Sequence, residues 1–334
     1  MTTLSPHLAR PEAERKPVAA TARTARLVVV KVASAVVVLV AAASLAWIAV
    51  LLIPGNRAAA ILNIRSGNDR IYTADQLAPV NHQYGFDKPL IVQWLHYVGG
   101  LFTGDLGTSY TQYKPVTEVI GAQLGPSLLL TISALVVAWV IAVTVSLLTV
   151  KRGKALGSFG STLESFTASL PHYWVGVILL VIFAVKIPIF PVIGGSGVAG
   201  SVLPILTLAI PLSGFLGQVI RDEFDKVLDQ PFITTARTRG LGETAVRIKH
   251  ALRHAILPAV SLSGWALGAL ISGAVIVENI FGRPGIGQVL VTAVNTRDVP
   301  TVAGIVVVVA AIYIVANLLV DLGYRIIDPR LRDS

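Results

Sequence analysis

The chain has 334 residues, 54% of them hydrophobic and 13% charged, with a mean hydropathy of +0.73. Soluble domains carry about 25% charged residues, so that class is excluded, and the apolar residues fall in runs long enough to cross a bilayer. Disordered, collagen-like and disulfide-stapled architectures are excluded as well; with no cysteine, so are thiolate metal sites and cysteine nucleophiles. The net charge of +9 is read first as membrane topology.

In chain order, residues 1–26 are rich in Ala, Thr, Pro and charge and are expected to form a disordered cytoplasmic tail. A cleaved signal peptide is the competing reading, and the following apolar run is too long for one. Six stretches reach spanning length: Val32–Ile53, Ser127–Val150, Phe166–Val185, Ser201–Ile220, Pro258–Phe281 and Val302–Val320. The expectation is an all-α membrane protein with six transmembrane helices. Its divisions are a first transmembrane helix (27–53), an extracytoplasmic loop (54–126), a transmembrane core (127–322) that includes a cytoplasmic loop (221–257), and a cytoplasmic tail (323–334). Pro204 and Pro211 interrupt the fourth span, whose Thr207, Ser213 and Gln218 favour an interior place. Lys and Arg number 18 on one set of faces and 7 on the other, with Lys31 and Lys186 at span edges, which puts both termini in the cytoplasm. The basic charge is thereby assigned to orientation, and nucleic acid is not expected as a partner.

Two segments between spans have helical patterns. In the outer loop, Pro89 follows Asp87 and Lys88, and Leu90, Ile91, Trp94, Leu95, Val98, Leu101 and Phe102 recur at helical spacing up to the Gly104-Asp105-Leu106-Gly107 turn. That amphipathic helix either lies on lipid or docks an external protein. In the cytoplasmic loop, Pro231 starts a short helix and Gly240 ends it in the left-handed region. In the helix that follows, Ala245, Ile248, Leu252 and Ala255 share one face, opposite Arg247, His250 and His254. Lys249, His250, Arg253 and His254 crowd its C-terminal half, where the helix dipole favours cations. Anionic lipid or a protein partner would both suit it.

The run Phe232-Ile-Thr-Thr-Ala-Arg-Thr-Arg-Gly-Leu241 followed by His250-Ala-Leu-Arg-His-Ala-Ile-Leu-Pro258 resembles the cytoplasmic EAA loop of ABC-importer permeases, in the variant of the peptide, opine and nickel permeases. Gly85–Leu90, Gly104–Gly107, Ser169-Leu-Pro171, Val277–Phe281 with Pro284–Gly287, Arg297-Asp298, Asn317–Asp321 and Asp328-Pro-Arg330 agree with it in order and spacing. Thr234-Thr235-Ala236 stand where Glu-Ala-Ala is the general form, which leaves one ATPase contact unplaced. The resemblance implies the type I importer permease fold. It also implies a bacterial inner-membrane importer of oligopeptides or dipeptides, with nickel complexes, glutathione, opines or haem as alternatives. It further implies a coupling helix in which Phe232, Thr234, Thr235, Ala236, Arg237, Arg239, Gly240 and Leu241 meet an ATPase. The implied partners are a second, homologous permease, two ATPase subunits or domains and an extracytoplasmic solute-binding protein, with membrane lipid around them. Trp94, Phe102 and Asp105 are candidates to touch the binding protein. The chain is not expected to be an enzyme: it lacks a phosphate loop, Gly153-Lys154 having neither the spacing nor the magnesium-binding hydroxyl. No cofactor or metal is assigned to it, and ATP and magnesium belong to the partner ATPases.

Ionisable groups are nearly absent from mid-span positions. Lys31 and Glu164 are expected to snorkel near cytoplasmic ends, Glu278 lies near an outer end, and Asp321 with Arg325 has the spacing of a helical ion pair. A proton- or sodium-coupled carrier would hold a carboxylate near the midplane, which disfavours the rival reading of a self-sufficient carrier; a membrane enzyme lacks any metal cluster or paired carboxylates. Ser169, His172, Ser261, Ser263 and Asn317 are the translocation-pathway candidates, each also open to a packing role. Gly264, Gly268 and Ser272 form a small-residue stripe for close approach of a helix from this chain or a partner permease.

Overall fold

In a bilayer every backbone polar group must be paired internally, so an apolar chain of this kind resolves into helices. The computed structural model describes residues 18–52, 54–194 and 197–327, with side-chain surroundings for 29–49, 51–52, 54–194 and 197–320. Its elements are α1 (Val18–Leu51), α2 (Arg57–Ser66), α3 (Ala74–Tyr84), α4 (Leu90–Thr103), α5 (Val116–Thr149), α6 (Lys154–Ala168), and α7 (His172–Leu180), which continues as a π-helix over Val181–Lys186. There follow α8 (Val198–Leu228), α9 (Pro231–Thr238), the single turn α10 (Glu243–Ala245), a π-helical stretch Val246–Ala251, α11 (Leu252–Ala255), α12 (Leu257–Ile280), α13 (Ile286–Asn295) and α14 (Val299–Ile327).

Five helices are long and apolar enough to cross a membrane alone: α1, α5, α8, α12 and α14. The sixth membrane segment corrects the expected span Phe166–Val185. Phe166 belongs to α6, and α6 and α7 meet at a 98° bend. Pro171 supplies no N–H and disfavours the helical region for Leu170, so the helix breaks there; the Ser169 hydroxyl and N–H both donate to the Phe166 carbonyl in the last turn, at 2.7 and 3.2 Å. Helix α5 starts at Val116 and carries Pro126 inside it, well before the expected Ser127. The chain is already helical at Val18, within the segment expected to be a tail; residues 1–17, the 328–334 end and the side chains of Asp321 and Arg325 lie outside the described residues.

Helix α8 is the hub, packing on α5, α6, α7 and α12. Leu203, Leu208, Leu212, Leu216 and Ile220 of α8 form the main core with Leu130, Ala134 and Ala138 of α5 and Ala266, Leu270 and Ala274 of α12. The prolines do not interrupt it, and its hydroxyls fold back onto its own carbonyls, Thr207 onto Leu203 at 2.8 Å and Ser213 onto Ile210 at 2.7 Å. Helix α1 stands at the edge, against α14 and α4.

The small-residue stripe of α12 finds its partner inside the chain. A Cβ on Gly264 would lie 2.8 Å from Asn317 Oδ1, and one on Gly268 would lie 2.5 Å from the Tyr313 ring, so both glycines admit α14. Ser272 is exposed and lies outside that contact.

The loop after α1 is a small folded layer, of which the sequence pattern indicated only α4. Asn56 caps α2 through its side chain, and Thr73 with Gln76 forms a capping box on α3. Ala58, Ile61, Val80 and Tyr110 form its core, with Tyr84, Phe86 and Tyr110 in mutual ring contact. Asp298, at the start of α14, is 1% exposed and anchors this layer. It accepts from the Ser109 hydroxyl, from Tyr110 N at 3.0 Å and from Thr111 Oγ1 at 2.9 Å.

Candidate functional site

At the other end of α5, the segment between α8 and α12 forms the helix-turn-helix expected from Pro231 and Gly240. Proline at N1 loses nothing, because that N–H has no helical partner, and α9 runs to Thr238. Gly240 has φ +81, and its N–H returns to the Arg237 carbonyl at 2.9 Å; a side chain there would oppose the left-handed turn.

The residues grouped as one coupling surface divide into two faces. Ile233 is fully buried and Ala236 is 6% exposed, both in a cluster with Phe224, Val227, Val246, Ala251 and Ala255. Phe232, Thr234, Thr235, Arg237, Arg239, Gly240 and Leu241 are exposed. Ala236 is therefore a packing residue, and the available contact face is the remainder. Phe232 leans on the His254 ring with centroids 5.3 Å apart.

The second helix differs from its expected faces. Ile248, placed on the apolar side, is 51% exposed, and Arg247, placed on the polar side, is 2% exposed. Both residues lie in the π-helical stretch Val246–Ala251, and the buried face runs through Val246, Arg247, Ala251 and Ala255.

Arg247 then becomes the centre of the site. Its Nε donates to Glu243 Oε1 at 3.0 Å, and its Nη1 donates to the Val150 carbonyl at 2.7 Å. Arg237, from α9, reaches the same Glu243 carboxylate with Nε and Nη2, both at 3.2 Å. One chain of charged hydrogen bonds thus runs from the exposed face of α9 through Glu243 and Arg247 to the end of α5. A cation at the α5 C-terminus also meets the negative end of the helix dipole. The Arg237 hydrogen bond is the first cause holding the Glu243 carboxyl below its ordinary value, and burial lowers Arg247 from its own. Composition and faces did not reveal this network; its legible signal was the spacing of Glu243 and Arg247, four apart.

A second ion pair lies beside it. Glu164 of α6, expected to snorkel, is 2% exposed and paired with Arg221 of α8, whose Nη2 also donates to Thr149 Oγ1 of α5 at 2.5 Å. Glu278, on α12 at the α2–α4 end, is fully buried. Its carboxyl accepts from Ser127 Oγ at 2.5 Å and from Gly287 N at 2.7 Å, at the N-terminus of α13.

The pathway candidates differ in burial and partners. Ser263 is buried, donating to the Ala259 carbonyl and accepting from Trp139 Nε1, both at 3.0 Å, which makes it a packing residue. Asn317 donates to the Tyr313 carbonyl at 2.9 Å beside Gly264. His172 packs near Gly273. Ser169, at the bend, and Ser261 are exposed. On the outer layer, Phe102 is exposed and Asp105 accepts from Gly107 N within its own turn at 2.8 Å. Trp94 is half-buried and donates to Ser44 Oγ of α1 at 3.0 Å. Among the described residues, no group of three or more His, Asp or Glu side chains is placed to hold a metal.

The structure is thus a bundle of apolar helices with a short helix, α9, tied through Glu243 and Arg247 to the end of α5. The chain belongs to the binding-protein-dependent transport system inner membrane components, whose description matches residues 134–333; that of their N-terminal part matches residues 24–131. Among relatives, the glutathione transport system permease protein GsiC of Salmonella typhimurium (strain LT2) is 35% identical over 260 residues, 78% of this chain and 85% of that protein. GsiC of Pectobacterium atrosepticum is 32% identical over 289 residues, 86% of this chain and 92% of that one. In fold, the chain is similar to the MetNI methionine ABC transporter solved in inward-facing conformations, with a TM-score of 0.50 and 16% identity, covering 63% of this chain and 96% of that chain. The protein is a multi-pass inner-membrane permease of the ABC importer class with the type I fold, and that class works with an ATPase and a solute-binding protein.

Proposed function

We propose that this permease imports short peptides, with glutathione-sized solutes foremost, and forms half of a translocation pathway completed by a homologous second permease. The observation that carries the solute class is the 35% identity to a glutathione permease over 78% of the chain. Glutathione was the alternative solute of the sequence reading, behind oligopeptides and dipeptides, and the relatives favour that alternative. Nickel complexes, opines and haem remain the alternatives.

Helix α9 is the coupling element. Its exposed residues seat in a groove on one of two ATPases, and closure of the ATPase pair pushes α9. Arg237, Glu243 and Arg247 carry that push to α5, while Ile233 and Ala236 carry it to α8 through the buried cluster. Both termini are cytoplasmic, and the α2–α4 layer faces the solute-binding protein.

The test is reconstitution with the second permease, the ATPases and the binding protein in vesicles, supplied in turn with radiolabelled glutathione, a dipeptide and a nickel complex. ATP-dependent uptake of the peptides is expected. Uptake of nickel alone, or uptake indifferent to ATP, would overturn the reading.

A further inference from the structure

Helix α4 has three faces. Trp94, Val98 and Leu101 turn toward the protein; Val98 is buried, and Trp94 is tied to Ser44. His96 and Thr103 lie exposed on the far side, while Gln93 is held by Arg57 and by the Phe86 and Lys88 carbonyls. Between these faces, Ile91, Leu95 and Phe102 form one continuous apolar stripe, 62%, 57% and 68% exposed. The helix has no Asp, Glu, Lys or Arg, while Asp87 and Lys88 before it and Asp105 after it are exposed. A protein partner recognised by charge would find nothing on this face to pair with.

The Trp94 bond fixes the depth of the helix. Ser44 lies nine residues before Ile53, where the apolar run of the first span ends, about 14 Å inside it at 1.5 Å per residue. An indole bonded to that hydroxyl seats α4 against the acyl-chain level of this span, the depth that the apolar face of an in-plane helix reaches. On α1, Leu45 and Ile48 are exposed at the same level.

We propose that α4 is an interfacial helix lying in the plane of the membrane, its Ile91–Leu95–Phe102 stripe sunk among the acyl chains of the leaflet on the α2–α4 side and its depth set by the Trp94–Ser44 bond. The occupant of the stripe is lipid. An apolar face on an in-plane helix binds through buried area and needs no anionic headgroup. The helix thereby holds the α2–α4 layer down against the mouth of the spans.

Because the chain has no cysteine, nitroxide labels can be placed singly at Ile91→Cys, Leu95→Cys, Phe102→Cys and His96→Cys, in the transporter assembled with cysteine-free partners in phosphatidylcholine–phosphatidylglycerol vesicles. All four positions are exposed, so the labels displace no packing. At 91, 95 and 102, collisions with oxygen should exceed those with a water-soluble nickel chelate, and at 96 the order should reverse. Chelate collisions dominating at all four positions would overturn the proposal. So would labels at 91, 95 and 102 that become shielded only when the solute-binding protein is added, an outcome that would assign the stripe to protein docking.

Discussion

Arg247 satisfies a buried guanidinium by spending its donors on a carboxylate and on carbonyls that the end of α5 cannot pair itself. The Val150 and Leu147 carbonyls stand at 2.7 and 3.5 Å from Nη1. Arg247→Ala removes these bonds and leaves Glu243 with Arg237 alone; hydrogen bonds to charged groups contribute about 1.5–3 kcal/mol each. A lower thermal midpoint and weaker solute-stimulated ATP hydrolysis are expected, and Arg247→Lys should not rescue them, because a point charge lacks the planar fork that reaches both partners. The companion variant Glu243→Gln has a defined pH dependence. The Glu243 carboxyl is held below 4.5, first by the Arg237 hydrogen bond, so its contribution is complete above 4.5 and fades as pH falls through the lowered folded value. The difference in thermal midpoint between parent and Glu243→Gln should be constant from about pH 6 to 8 and shrink below 4.5.

At the scale of the element, α9 is eight residues long, too short to persist without its buried anchors and its terminal turn. Gly240→Val forces a β-branched residue into φ +81 and should tilt the helix, while Thr235→Trp adds bulk on the exposed face. Both proteins should insert and pair with the second permease, yet lose ATPase association, read by co-purification and solute-stimulated hydrolysis. Ala236→Trp separates the faces: its side chain enters the Phe224–Val246 cluster, so it should unfold the loop and lower its resistance to proteolysis, which Thr235→Trp should not. Retention of the ATPase and parental uptake in both Gly240→Val and Thr235→Trp would remove α9 from the coupling role.

For the whole molecule, α5 joins the two functional ends: its first turn packs beneath Leu106 and Ile305, and its last residues are held by Arg247. Which end faces the cytoplasm rests on the basic excess at the α9 end. Asp75 of α3 and Ile248 in the loop are both exposed, so Asp75→Cys should react with an impermeant thiol reagent on cells with a permeabilised outer envelope, and Ile248→Cys should react only after the inner membrane is opened. The reverse pattern would invert the orientation.

The sequence by itself determined what local chemistry determines. Apolar run length marked the spans, Pro89 and Gly104 bounded α4, and Pro231 and Gly240 bounded α9; the ordered motifs identified the family. What it missed depends on contacts between distant segments. Pro171 marked a kink, but whether the chain bends mildly or by 98° depends on α6 finding α8 to pack on. Pro204 and Pro211 looked disruptive, yet α8 stays continuous because neighbours enclose it on every side. Arg247 read as a surface cation until Glu243 and the Val150 carbonyl at the end of α5, nearly one hundred residues away, received its donors. Glu164 and Glu278 read as edge charges until Arg221 and the α13 N-terminus received them. A charge is placed by the partner that offsets its desolvation, and where that partner lies far along the chain, only the tertiary structure brings it near.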